Sequence, residues 1–132
     1  MVPLSISPII SIVDDDDSIR VAAGDLVTSL GFVALTFASA EAFLQSGDAT
    51  RTSCLITDIQ LPGMSGLDLQ DRLRAEGYRL PIIVITAFPE PKLERRAQAA
   101  GAAAFLVKPF DGRELITRIE EVLSRDEGPS KP

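Results

Sequence analysis

Five short apolar runs, each followed by an amphipathic segment, constrain the fold of this chain more than any other feature. The runs are rich in Ile and Val and too short for helices, which predicts strands buried on both faces. They lie at residues 9–13, 32–37, 54–59, 81–87 and within 103–110. The segments between them carry apolar residues at helical spacing, most strongly over 115–123 and most weakly over 91–102. This alternation predicts a parallel sheet with helices on both faces, because right-handed crossovers place helices there.

Composition excludes several classes of function. The 132 residues carry a formal net charge of −6, which argues against direct nucleic-acid binding, since that requires a basic surface. The N-terminus lacks the pattern of a signal peptide and no apolar run is long enough to span a bilayer, so we expect a cytoplasmic domain without membrane contact. The chain has no histidine, which excludes an internal Ser-His or Cys-His pair. The single cysteine, Cys54, is expected to be a small buried hydrophobe.

Reactive side chains fall at the carboxyl ends of four of the predicted strands. Asp14 and Asp15 follow the first strand, Asp58 ends the third, Thr86 the fourth and Lys108 the fifth. Ligands of parallel α/β sheets bind at this edge, so these residues are expected to share one pocket. Close carboxylates need a cation to stay ionised together, and oxygen ligands suit Mg²⁺. A carboxylate in such a site can act as a nucleophile toward a phosphoryl group, with the lysine neutralising developing charge.

The motifs around these residues resemble those of a known family. "IVDDD", "LITDIQLPGMSG", "VITA" and "FLVKPF" occur in the order and spacing typical of the receiver domains of two-component response regulators. The resemblance covers about residues 9–124, and "SAEAFL" with "LPGMSG" is most similar to receivers of the nitrogen-fixation regulator type. It implies a doubly wound, flavodoxin-like (βα)5 fold with strand order 2-1-3-4-5, and a phosphorylated signalling domain rather than an enzyme.

The resemblance also implies a role for each residue at this edge. Asp58 would be the phosphoacceptor, while Thr86 and Lys108 would contact the phosphoryl group. Mg²⁺ would be held by Asp15, Asp58 and the main-chain carbonyl of Gln60, with Asp14 reaching it through water. Phe105 matches an aromatic switch position that responds to movement of Thr86, and Lys108–Pro109 would be a cis peptide.

The resemblance further implies partners and a domain layout. Because the chain has no histidine, the phosphohistidine must belong to a histidine kinase or a phosphotransfer protein. The output face would comprise the fourth helix, fifth strand and fifth helix, acting on a downstream protein or a missing output domain and also allowing a homodimer. We expect an N-terminal extension at 1–8, the receiver at 9–125, and a polar tail or linker start at 126–132.

The run of four aspartates leaves two alternatives open. "DDDDS" also fits the D-x-D-x-S/T pattern of haloacid-dehalogenase-type Mg²⁺-dependent phosphatases, with Asp14 as nucleophile and Asp16 as acid/base, but no late G-D-x-x-x-D motif accompanies it. A protein-interaction adaptor that is never phosphorylated is the other alternative, and the complete acidic set argues against it. In the receiver interpretation Asp16 and Asp17 begin the first helix, where carboxylates complement the helix dipole. Arg95 and Arg96 are predicted to be solvated surface residues.

Overall fold

A computed structural model describes residues 7–125, which form a five-stranded parallel sheet in the order β2-β1-β3-β4-β5. Five α-helices connect the strands or follow the last one, and a 3₁₀ helix over Asp48–Arg51 precedes β3. The elements are β1 (Ile9–Val13), α1 (Asp17–Ser29), β2 (Val33–Phe37), α2 (Ala40–Ser46), β3 (Cys54–Asp58), α3 (Gly66–Ala75), β4 (Ile82–Thr86), α4 (Pro91–Ala99), β5 (Ala104–Val107) and α5 (Gly112–Arg125). The predicted fold class and strand order are confirmed. Most of the predicted N-terminal extension and the whole predicted tail lie outside the described residues.

The core consists of two apolar layers, one on each face of the sheet. One layer contains Phe43, Leu69 and Leu73 and lies under α2, α3 and α4. The other contains Val27 and Leu115 and lies under α1 and α5. Every residue of β3 and β4 is buried, which explains why these strands appear in the sequence as unbroken apolar runs rather than alternating patterns.

The four consecutive aspartates divide between the sheet edge and the start of α1. Asp16 is the N-cap residue, and its Oδ1 accepts hydrogen bonds from the backbone N–H groups of Ser18 (2.8 Å) and Ile19 (3.4 Å). Asp17 lies in the first turn. The expected positions of Asp16 and Asp17 at the helix start are therefore confirmed, and this use of the Asp16 carboxylate gives no support to its role as a phosphatase acid.

Polar contacts from α3 anchor helix α4 in addition to its few apolar contacts. Ala97 is its one fully buried residue among those described, in keeping with the weak apolar face in the sequence. The Gln70 side-chain amide donates to the Ala97 carbonyl at 3.2 Å, and the Arg74 guanidinium donates to the carbonyls of Ala100 (3.1 Å) and Gly101 (3.4 Å). The Ala97 carbonyl also accepts from the Ala102 amide at 3.0 Å, whereas the Arg74 bonds supply partners to carbonyl groups just after the helix, where intrahelical donors end.

A second link between these helices corrects one expectation from the sequence. Arg96 lies on the surface, but its guanidinium pairs with Asp68 at 3.0 Å and with Asp71 at 2.7 Å across the α3–α4 interface. It is therefore part of an exposed ion-pair cluster rather than an ordinary solvated charge. None of the helices within residues 7–125 is long and apolar enough to cross a membrane.

Candidate functional site

The sheet order brings the reactive strand ends together. Strand β1 pairs with β3 such that Val13 lies opposite Thr57, so Asp14 and Asp58 follow at the same edge. Strand β4 lies beside β3, and the Lys108 amide just after β5 donates to the Thr86 carbonyl at 2.8 Å. Four residues that are distant in the sequence therefore meet at one edge.

A buried ion triad forms the centre of this site. The Lys108 ammonium lies 2.9 Å from Asp14 Oδ2 and 3.0 Å from Asp58 Oδ2. Both aspartates are almost completely buried, at 1% and 4% exposure. Their second oxygens are also bonded: the Asp16 amide donates to Asp14 Oδ1 at 2.9 Å, and the Gln60 amide donates to Asp58 Oδ1 at 3.3 Å. These bonds hold both carboxylates in fixed orientations.

Burial and charge perturb the two central titrating groups. Burial raises the pKa of Asp58 above its ordinary value of 3.8; the hydrogen bond from Lys108 offsets part of this rise, and the Asp14 charge adds to it. Burial alone would lower the pKa of Lys108, but the hydrogen bonds to Asp14 and Asp58 outweigh it and raise the pKa above 10.5. At neutral pH the lysine is therefore firmly cationic, while ionised Asp58 is a comparatively high-energy group.

The acidic residues fit a divalent cation. Asp14, Asp15 and Asp58 each offer a carboxylate oxygen, and these oxygens lie within 4.8 Å of one another. Asp15 is exposed whereas the other two are buried, so the set opens to solvent on one side. An all-oxygen donor set is typical of Mg²⁺ sites, which retain some water ligands. The Gln60 main-chain carbonyl stays a prediction as a further protein ligand, and so does the water-mediated role of Asp14.

Thr86 ends β4 at the same edge of the sheet, and its hydroxyl both donates and accepts a hydrogen bond. The residue is completely buried. Its Oγ1 donates to Gln60 Oε1 at 2.8 Å and accepts from the Phe88 amide at 3.0 Å. The sequence motifs indicated the main chain of Gln60 but gave no signal for this side-chain bond, because it joins the loop after β3 to the last residue of β4.

The loop between β3 and α3 is braced by a residue that sequence reasoning missed. Glu41, in α2, accepts a hydrogen bond from the Met64 amide at 2.8 Å. This bond lowers the pKa of the Glu41 carboxyl below 4.5. Gly66 packs so closely on β3 that an added Cβ would lie 2.0 Å from the Asp58 carbonyl oxygen. Backbone packing at Gly66 and the Glu41 bond together fix the loop that follows Asp58.

The remaining predicted site residues lie on β5 and just after it. Phe105 is partly buried and packs against the apolar layer beneath α2, α3 and α4. The Lys108–Pro109 peptide bond is cis. Cys54 is buried, as expected for a small hydrophobe.

A doubly wound parallel sheet with an acidic cluster and a lysine at its carboxyl edge defines a flavodoxin-like receiver class of protein. Residues 10–120 match the response regulator receiver domain family, and the chain belongs to that family. It is 37% identical over 116 residues to the transcriptional regulatory protein FixJ of Azorhizobium caulinodans, covering 88% of this chain and 55% of the relative. It is 39% identical over 122 residues to nodulation protein W of Bradyrhizobium diazoefficiens, covering 92% and 54%.

Solved structures show the same relationship. The crystal structure of FixJ-N superposes with a TM-score of 0.83 at 32% identity, covering 94% of this chain and 99% of that one. The Vibrio cholerae chemotaxis protein CheY4 superposes with a TM-score of 0.82 at 27% identity, covering 89% and 100%. The chain spans about half the length of the curated relatives above. The resemblance stated from the sequence is therefore confirmed at the level of family and fold.

Proposed function

We propose that this domain accepts a phosphoryl group from a phosphohistidine onto Asp58. The observation that carries this proposal is the buried Asp58 carboxylate, held 3.0 Å from Lys108 and beside Asp14 at the carboxyl edge of the sheet. Its raised pKa marks a carboxylate whose negative charge is poorly solvated. Such a group is suited to covalent chemistry that consumes its charge.

The transfer proceeds by attack of an Asp58 carboxylate oxygen on phosphorus. The P–N bond of the donor breaks, its electron pair returns to the departing imidazole, and a P–O bond of an acyl phosphate forms. Lys108 and the Thr86 hydroxyl would bind the phosphoryl oxygens. Asp15, Asp58, the Gln60 carbonyl and, through water, Asp14 would hold Mg²⁺, which supplies charge neutralisation when bound.

Phosphorylation then changes the output face through Thr86. Movement of the Thr86 hydroxyl toward the phosphoryl group leaves space for Phe105 to turn inward, and α4, β5 and α5 adjust. A redistribution between two conformations requires only a few kcal/mol. The donor is a histidine kinase or a phosphotransfer protein. The face acts on a downstream protein or an output domain, or joins two copies, and residues 9–125 are the receiver of a cytoplasmic regulator.

Intact mass spectrometry tests the assignment directly. The chain is incubated with Mg²⁺ and acetyl phosphate, alongside Asp58→Asn and, as a matched surface control, Asp25→Asn. We expect one added phosphoryl group on the natural chain and on the control, and none on Asp58→Asn. Stable labelling of Asp58→Asn would overturn the assignment. Steady phosphate release without any labelled protein would favour a hydrolase acting at Asp14.

A further inference from the structure

We propose that the Gln60 side chain stabilises the unphosphorylated state by occupying the one proton that Thr86 has to donate. This inference rests on the proposed function and adds a regulatory residue to it. The phosphoryl group on Asp58 and the Gln60 amide oxygen would compete for the same hydroxyl proton. The strength of the Gln60–Thr86 hydrogen bond would then set how readily the domain reaches its active conformation.

The hydrogen-bonding capacity of a threonine hydroxyl makes the competition exclusive. The group has one proton to donate and two lone pairs that accept. In this structure the proton is directed to Gln60 Oε1 at 2.8 Å, and a lone pair accepts from the Phe88 amide at 3.0 Å. A phosphoryl oxygen is an acceptor only, so it can bond to Thr86 only if the bond to Gln60 breaks.

Because Thr86 is buried, the exchange of its hydrogen-bond acceptor from Gln60 to a phosphoryl oxygen should affect the free energy of the switch. Thr86 is completely buried, so water does not readily replace Gln60 as a partner of its hydroxyl. Loss of that partner therefore costs free energy unless a phosphoryl oxygen takes its place. The Gln60 backbone is itself bonded to the phosphoacceptor, because its amide donates to Asp58 Oδ1 at 3.3 Å. Gln60 therefore contacts Asp58 through its main chain and Thr86 through its side chain, which couples the two residues before any phosphoryl group arrives.

A matched set of variants isolates this bond. Gln60→Met keeps the length of the side chain and removes the acceptor. Thr86→Val keeps the shape of the other partner and removes the hydroxyl. With the double variant these form a thermodynamic cycle. The probe is beryllofluoride with saturating Mg²⁺, an acceptor-rich phosphoryl mimic whose affinity does not depend on how fast a phosphorylated protein is hydrolysed.

We expect Gln60→Met to bind beryllofluoride about two- to tenfold more tightly than the natural chain, the range set by one neutral hydrogen bond. In the Thr86→Val background, the same substitution should leave the affinity unchanged. The single variant Gln60→Met, which retains Thr86, should also show a shifted Thr86 methyl resonance in the absence of Mg²⁺ and beryllofluoride. The shift should be toward the position of this resonance in the protein bound to beryllofluoride. Unchanged or weaker binding by Gln60→Met would overturn the proposal, and so would tightening that persists in Thr86→Val.

Failure of the proposed function gives a different result in the same experiment. The natural chain would then not bind beryllofluoride, or Asp58→Asn would bind it equally well. If the natural chain binds and Asp58→Asn does not, the function stands, and the ratio between natural and Gln60→Met affinities alone decides the role of Gln60.

Discussion

Substitution of Asp58, the proposed phosphoacceptor, should stabilise the metal-free protein, although it removes a largely buried, hydrogen-bonded ion pair. In Asp58→Asn the attraction between Asp58 and Lys108 at 3.0 Å is lost, which is worth about 5 kcal/mol at an effective dielectric constant of about 20. Repulsion from Asp14, whose oxygen lies within 4.8 Å, is also lost and is worth at least about 3 kcal/mol. Exposed Asp15 adds a smaller, screened repulsion.

The two pairwise terms leave a loss of about 2 kcal/mol before the Asp15 repulsion is counted, so the relief of the desolvation penalty on the Asp58 carboxylate decides the sign. That penalty is several kcal/mol for a buried ion, and the raised pKa of Asp58 has burial as its largest cause. In Asp58→Asn, Lys108 keeps its bond to Asp14 at 2.9 Å, which leaves a balanced pair. We expect a net gain of about 1–2 kcal/mol, or a rise of about 4–8 °C in Tm for a domain of this size.

Thermal unfolding with EDTA and with Mg²⁺ measures both parts of this prediction. The natural chain should gain stability with increasing Mg²⁺, by about 2.7 kcal/mol at a hundred times its Kd, whereas Asp58→Asn should respond weakly. Asp25→Asn, an exposed change in α1, serves as the control and should follow the natural chain. An Asp58→Asn protein that is less stable than the natural chain in EDTA at pH 7 would refute the reasoning.

The difference in stability between Asp58→Asn and the natural chain should depend on pH with a definite sign. Because the pKa of Asp58 is raised in the folded state, native protein binds more protons than unfolded protein between the ordinary carboxyl pKa of 3.8 and the raised value. The natural chain therefore loses stability as pH rises through the folded pKa. The advantage of Asp58→Asn should be largest at neutral pH and vanish below about pH 3.8. A gap that grows on acidification would contradict the burial argument.

Three further perturbations test how the surrounding loops are held. Gly66→Ala should lower the free energy of unfolding in urea by about 3 kcal/mol or more, because its Cβ would meet a β3 carbonyl oxygen at 2.0 Å. The control Gly24→Ala, whose Cβ would make an ordinary contact at 3.8 Å, should raise that free energy by up to about 1 kcal/mol. In the natural chain, the Met64 amide resonance should titrate with the Glu41 carboxyl, with a midpoint below pH 4.5. The lowered pKa means that the hydrogen bond from Met64 to Glu41 stabilises the loop above that midpoint and is lost below it. Glu41→Gln should abolish this titration. Arg74→Leu should lose about 2–3 kcal/mol and speed amide exchange after α4, and a loss below about 0.5 kcal/mol would contradict its anchoring role.

Most of the fold was predictable because it depends on local patterns. The unbroken apolar runs of β3 and β4 follow from burial on both faces, and the position of Asp16 at the start of α1 follows from capping preferences. Strand-end chemistry was predictable for a topological reason: all carboxyl ends of a parallel sheet lie at one edge. With the strand order that the family resemblance implies, the sequence therefore predicted that Asp14, Asp58 and Lys108 lie together, as they do.

The contacts that were not predicted all join side chains from different elements. Gln60, in the loop after β3, reaches Thr86 at the end of β4. Glu41 reaches the Met64 amide from α2, and Arg74 reaches the backbone after α4. No period or motif connects such pairs, since their meeting depends on side-chain length and on helix placement within a few ångströms. The polar contacts that anchor α4 could not be predicted from the sequence for the same reason, although the weak apolar face of this helix could.

The charges at the sheet edge would couple cation binding and the proposed phosphoryl transfer to the stability of this domain. Three carboxylates and one ammonium group leave two negative charges, the amount that one divalent cation neutralises. The fold itself holds Asp14 and Asp58 in this arrangement, because their strands are hydrogen-bonded neighbours with apolar layers on both faces. The repulsion is therefore not relieved by local movement and is available to favour cation binding. Under the proposed function, phosphorylation would replace the poorly solvated carboxylate of Asp58 with an acyl phosphate whose charge lies farther out, within reach of Lys108 and, once its bond to Gln60 is released, of the Thr86 hydroxyl.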